Sequence, residues 1–131
     1  MVIEFFMPMN PPTVTHQEKQ VSVANGKPTF YEPTELKAAR TKLRDHLAKR
    51  RPEQPLTGAV RLAAKWCFPR GRHRDGEYRI TKPDTDNLQK LLKDVMTAVG
   101  FWQDDAQVAS EIAEKFWAEI PGIYIRAEEM A

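Results

Sequence analysis

The 131-residue chain has one cysteine, Cys67. A single thiol closes no internal disulfide and builds no multi-cysteine zinc site. It suits a reducing cytoplasm, which is the expected location. The histidines, His16, His46 and His73, show no metal-ligand spacing. No apolar run approaches the roughly 20 residues of a membrane span. The first residues, Met1 to Pro8, lack a basic region, and Glu4 interrupts their short apolar run, so they do not read as a signal peptide. Internal repeats and low-complexity tracts are absent. What remains is one domain over residues 1–131, long enough for a real core. Its 29% charged and 41% hydrophobic residues are ordinary for a soluble protein.

Charge is present in quantity, and unevenly. The net charge is only +2, but residues 40–82 carry 13 Lys and Arg against 4 Asp and Glu, a local +9. Residues 83–131 carry 4 against 10, a local −6. A basic half can neutralise phosphates and an acidic half can bind cations, as a metal-using nucleic-acid enzyme requires. Two solvated faces are the plainer reading of the same asymmetry.

Val2 to Phe6 is β-branched and aromatic and predicts a first strand, ended by Pro8, Pro11 and Pro12. Residues 13–31 lack periodicity. They contain the turn signal Asn25-Gly26 and the cations Lys19 and Lys27, and read equally as a long functional loop or as a disordered segment. A helix follows from Pro33, with Leu36, Ala39, Leu43 and Leu47 on one face and Lys37, Arg40, Lys42 and Arg44 on the other. Gly58 to Pro69 alternates as a strand should, with Val60, Leu62, Ala64, Trp66 and Phe68 facing one way. Arg70 to Arg79 predicts an exposed turn. Its arginines, Arg70, Arg72, Arg74 and Arg79, together with Lys82, are candidates for phosphate contacts, since the guanidinium fork binds oxygens bidentately.

Next comes a helix from about Asp86 to Val99, stopped by Gly100. Its Leu88, Leu91, Leu92, Val95, Met96 and Val99 fall within an arc of about 140°. Phe101 and Trp102 should anchor the connection that follows. Val108, Ile112, Phe116 and Ile120 recur every four residues, which fits a helix or a long strand. A hairpin of two strands, turning at Pro121-Gly122, is the expected end of the chain.

The aspartates frame that second helix. Asp84 and Asp86, two residues apart, can converge on one cation if the backbone between them is extended, and carboxylates suit hard ions such as Mg²⁺. Capping is the alternative for Asp86, with Gln89 completing a capping box. Lys90 stands one turn into the helix, where an ammonium could face a scissile phosphate; ion pairing with Asp86 or Asp94 is its plainer role. Asp94 reads foremost as such a partner, and Asp104-Asp105 as a turn-forming pair or further ligands. From Asp86 to Val99 is roughly 20 Å of helix. The return to Asp105 reaches at most about 20 Å when fully extended. Asp105 therefore rejoins the first two only through a nearly straight antiparallel return, or else a second chain supplies the missing carboxylate.

The run D-x-D-N-L-x-K, an aspartate four residues on, and then G-F-W-x-D-D-x-Q-V resembles the RusA-type Holliday junction resolvases. The likeness is close over Lys82 to Val108 and weaker at F-M-P-M-N-P-P-T near the start. It departs from the family at Thr13-Val14-Thr15 and in a long Gly71 to Ile80 segment. The resemblance implies an α+β fold, a small mixed or antiparallel sheet with two main helices, working as a homodimer. It implies an endonuclease that cuts branched DNA, four-way junctions in particular, with Mg²⁺ or Mn²⁺ in its place. By position it puts catalytic and metal-binding carboxylates at Asp84, Asp86 and Asp105, an essential lysine at Lys90, and supporting roles at Asp94 and Asp104. The rival readings are a nuclease for other branched or flap DNA, a non-catalytic junction binder, and a protein-binding module.

Overall fold

A computed structural model describes residues 1–15, 20–24, 27–31 and 34–130, the side chains of 20–33 excepted. The elements run β1 (Val2–Pro8), β2 (Gln20–Ala24), β3 (Lys27–Tyr31), α1 (Thr34–Ala48), β4 (Val60–Pro69), α2 (Thr85–Val99), β5 (Val108–Ala118) and β6 (Gly122–Glu129). One 3₁₀ turn, Asp105–Gln107, precedes β5. The main sheet has the order β1-β6-β4-β5. β4 and β5 are parallel, and the β1–β6 and β4–β6 pairs are antiparallel. The fold is α+β with a mixed sheet and two main helices, as expected.

Strict alternation builds β4. Val60, Leu62, Ala64, Trp66 and Phe68 are buried, and Arg61 and Lys65 are exposed on the opposite face. The buried side meets Leu36, Leu43 and Leu47 of α1 and the leucines of α2 in one core. Both helices therefore lie on one face of the sheet. Parallel strands need a crossover between them, and α2 is that crossover. It runs back against β4 and β5, so its start lies near their ends and its end near their beginnings.

Three expectations are corrected. The chain does not end in a hairpin: β5 and β6 are separated by β4, which pairs with both. The Pro121-Gly122 step carries the chain across the end of β4 rather than folding β5 onto β6. A local turn signal cannot distinguish these outcomes, because the partner of each strand is chosen by the sheet. Residues 13–31 are not simply a loop, since β2 and β3 pair antiparallel with Ala24 opposite Lys27. The Asn25-Gly26 turn itself, like His16 and Lys19, lies outside the described residues. Finally, α2 begins at Thr85 and its N-cap is Asp84, not Asp86.

Gly122 has a steric reason to be glycine. A Cβ there would stand 2.2 Å from Phe6 Cζ and 2.6 Å from the Met7 carbonyl oxygen. Gly100 ends α2 with φ 99°, donating to the carbonyls of Met96 and Thr97 at 3.2 Å. That left-handed turn sends Phe101 and Trp102 into the core.

Candidate active site

The start of α2 is held from the sheet. Lys115, on β5, donates from Nζ to the carbonyls of Thr81 at 2.6 Å and Pro83 at 2.7 Å. Pro83 is buried, and its peptide bond to Lys82 is cis. The next residue, Asp84, is exposed and extended (φ −74°, ψ 147°), and its carboxylate caps no helix N–H. Asp86 stands in the first turn of α2, also exposed. The capping box expected at Asp86 and Gln89 does not form.

Gln89 is instead buried and joins strand to helix. It accepts the Trp66 indole N–H at 2.7 Å and donates to Glu111 at 2.9 Å. Glu111 also takes Lys93 at 3.2 Å. Asp86, Gln89, Lys93, Glu111 and Ala113 line one shallow depression between α2 and β5. Gln89 thus bonds Trp66 and Glu111 where a capping role was expected, and Glu111 and Lys115 were not among the expected residues. Only an amide within an apolar helix stripe, and charges on the helix-facing side of a strand, could have signalled them.

The capping box is real but sits at Asp104. Its carboxylate accepts the Ala106 N–H at 2.9 Å, and Gln107 accepts the Asp104 N–H at 3.1 Å. Gln107 also donates to the carbonyls of Leu56 and Gly58 at 3.0 and 3.1 Å. The turn that carries Asp105 is thus pinned beside the beginning of β4.

The aspartates divide cleanly. Asp94 lies 3.6 Å from Lys90 Nζ and 3.9 Å from an Arg40 nitrogen, so both Lys90 and Asp94 take the ion-pair role the spacing allowed. Asp104 is spent on its cap. The carboxylates of Asp84, Asp86 and Asp105 make no hydrogen bond or ion pair among the described residues. One chain does not unite them. Val108 and Lys115, at the two ends of the interval, are seven residues apart on one strand, roughly 23 Å. No group of three or more His, Cys, Asp or Glu side chains able to hold a metal ion occurs among the described residues.

The basic segment divides as well. Arg70 is paired with Glu119. The Arg79 guanidinium lies over Phe68 at 4.3 Å and Trp117 at 4.5 Å, and burial pulls its pKa down. Its Nε donates to Thr81 at 3.1 Å. The side chains of Arg72, Arg74 and Lys82 are exposed and have no partner among the described residues.

The first turn of α2 and the 70–80 loop thus carry carboxylates and cations that no described residue engages. The family model for "Endodeoxyribonuclease RusA" matches residues 8–128, and the chain belongs to that family. It is an endodeoxyribonuclease, a hydrolase. The chain is 28% identical over 133 residues to the "Crossover junction endodeoxyribonuclease rusA" of Lactococcus phage r1t, covering 99% of this chain and 100% of that protein. It is also 28% identical over 122 residues to the "Uncharacterized protein YqaN" of Bacillus subtilis (strain 168), covering 84% of this chain and 85% of that one. No described helix is long and apolar enough to cross a membrane.

Proposed function

We propose that this protein resolves four-way DNA junctions by paired phosphodiester hydrolysis, as a homodimer serving recombination and repair. The observation that carries the reading is the selective freedom of Asp84, Asp86 and Asp105, while Asp94 and Asp104 are engaged within the fold. Leaving carboxylates without partners gains no stability and suits a site that awaits a cation. The phage relative of matching length supports the junction as substrate.

Hard oxygen donors fit Mg²⁺, or Mn²⁺ in its place, and Asp84, Asp86 and Asp105 would hold it. Such an ion, when bound, supplies a water of lowered pKa and offsets charge on the phosphate oxygens. Asp84 presents its carboxylate from extended backbone that Lys115 fixes through Pro83. Asp86 presents its own from the first helical turn. Lys90, 67% exposed, is free to exchange Asp94 for a phosphate oxygen, where its ammonium offsets developing charge. Arg72, Arg74 and Lys82 bind the DNA backbone, and Arg70 and Arg79 contribute mainly by shaping that loop. Asp105 must come from the second copy, since one chain keeps it at the far end of α2.

Asp84→Asn tests the assignment. Junction cleavage with Mg²⁺ should vanish while junction binding persists or tightens, because negative charge near phosphates is removed. Normal cleavage by the variant refutes the catalytic role. The composite site has its own test: inactive Asp84→Asn and Asp105→Asn chains, mixed, should recover activity by forming one intact site per mixed dimer. A four-way junction compared with a flap and a linear duplex separates junction resolution from cleavage of other branched DNA.

A further inference from the structure

Part of the basic face of α1 works against the helix that carries it. At 100° per residue, Lys37, Arg40 and Arg44 fall within about 60° of one another. Arg40 shows where this stripe points, since one of its nitrogens lies 3.9 Å from Asp94 of α2. Lys37 and Arg44 are exposed, and their side chains make no hydrogen bond or ion pair among the described residues. Like charges three or four residues apart repel and destabilise a helix. Lys37 also stands within the first turn, where the helix dipole disfavours a cation. Lys49 and Arg51 differ, because the dipole favours cations at the other end.

We propose that the Lys37–Arg40–Arg44 stripe is a second DNA-backbone surface, which takes a duplex arm leading away from the cut on the side opposite Arg72 and Arg74. α2 lies between two neighbours. Lys93 reaches Glu111 of β5 at 3.2 Å, and Asp94 reaches Arg40 of α1. The 70–80 loop is joined to β5, where Arg79 N–H donates to the Lys115 carbonyl at 3.0 Å. Loop cations and α1 cations therefore flank α2 on its two sides. Asp94 is also 3.6 Å from Lys90, so Lys90 and Arg40 share one carboxylate, and cations continue from α2 onto α1. Asp86, Lys90 and Asp94 follow one another a turn apart, and their eight residues span about 12 Å. Lys37 and Arg44 lie up to about 6 Å to either side of Arg40 along α1. Charges on one DNA strand repeat about every 3.4 Å along the axis, so the stripe meets phosphates roughly two to five nucleotides from a cut at Asp86.

The occupant is a sugar–phosphate backbone rather than an acidic protein. A protein partner needs apolar anchors as well as charge, and none of the large exposed hydrophobic side chains lies on α1 among the described residues. The stripe offers only cations, two of them guanidinium forks that match phosphate oxygens. The inference rests on the branched-DNA reading above, and adds to it the surface that follows an arm after the branch point.

Binding is measured in chelator, so that nothing is cut, by fluorescence anisotropy of a labelled four-way junction. The Lys37→Ala/Arg44→Ala protein should bind about tenfold more weakly at about 0.1 M salt, with a log–log salt slope smaller by about two. Its Tm should equal or exceed that of wild type, because mutually repelling charges are gone. Lys42→Ala/Lys49→Ala removes the same charge away from the stripe and should weaken binding less than about threefold. A junction with uncharged methylphosphonate linkages two to five nucleotides from the branch point assigns the contact. Wild type should lose about tenfold on it, and the Lys37→Ala/Arg44→Ala protein should lose nothing further. Wild-type affinity in the Lys37→Ala/Arg44→Ala protein, an equal loss in the Lys42→Ala/Lys49→Ala protein, or additive losses from variant and methylphosphonates overturn the arm surface. The active-site reading fails separately: junction cleavage by Asp84→Asn refutes that assignment and leaves the stripe standing.

Discussion

Replacing Gln89 by leucine should destabilise the fold far more than a polar-to-apolar change in a helix ordinarily does. Gln89 is 4% exposed, and it is the only partner given to the buried Trp66 indole N–H among the described residues. Leucine nearly matches glutamine in volume, so no large cavity opens. The loss is the 2.7 Å bond to Trp66 and the 2.9 Å bond to Glu111. Glu111 is exposed and can rehydrate. Trp66 is 0% exposed and cannot. Leaving a buried donor unmet costs about 1–3 kcal/mol, which for a domain of this size lowers Tm by roughly 4–12 °C. Urea denaturation should show a lower midpoint with an unchanged slope. A cycle with Trp66→Phe isolates the bond. Phenylalanine has no N–H to strand, so Gln89→Leu should cost about 1–3 kcal/mol less in that background than in wild type. Equal costs in both backgrounds, or a Gln89→Leu protein within about 0.5 kcal/mol of wild type, would refute the reasoning.

Other outcomes follow from single contacts. Gly122→Ala should reduce folded yield and lower Tm, because its Cβ meets the Met7 backbone at 2.6 Å, and no side-chain rotation of Phe6 relieves that contact. Arg72→Ala with Arg74→Ala should weaken DNA binding and flatten its salt dependence, by about one unit of log–log slope per lost phosphate contact, without changing Tm. Arg79→Ala should instead cost about 1–2 kcal/mol of stability through its lost contacts with Phe68 and Trp117, read by urea denaturation. Burial pushes the Cys67 thiol pKa up, so less thiolate is present at pH 8 than for a free cysteine. Alkylation by iodoacetamide should be correspondingly slow in the native protein and reach the free-thiol rate in urea.

Short-range pattern determined a good deal about this protein. Alternation from Val60 to Phe68 placed β4 and its buried face, because period two admits only one side to the core. Leucines at helical spacing placed α1 and α2, and Gly100 marked the end of α2, because only glycine adopts a φ of 99° readily. The spacing of Asp84, Asp86, Lys90 and Asp105 carried the family, and chain length alone showed that Asp105 has no easy path back. Tertiary structure decided what local pattern leaves degenerate. Val108 to Ala118 had helical and strand periodicity at once, and its pairing beside β4 settled the choice. Strand partners lie dozens of residues apart, so a turn at Pro121-Gly122 could not announce that β4 would separate β5 from β6. The fold also decided which charges are engaged. Asp94, Asp104, Arg70 and Arg79 are used internally, whereas Asp84, Asp86, Asp105, Arg72 and Arg74 are left over. Residue type is the same within each group, and only the neighbours that packing supplies distinguish an unpartnered carboxylate from a cap.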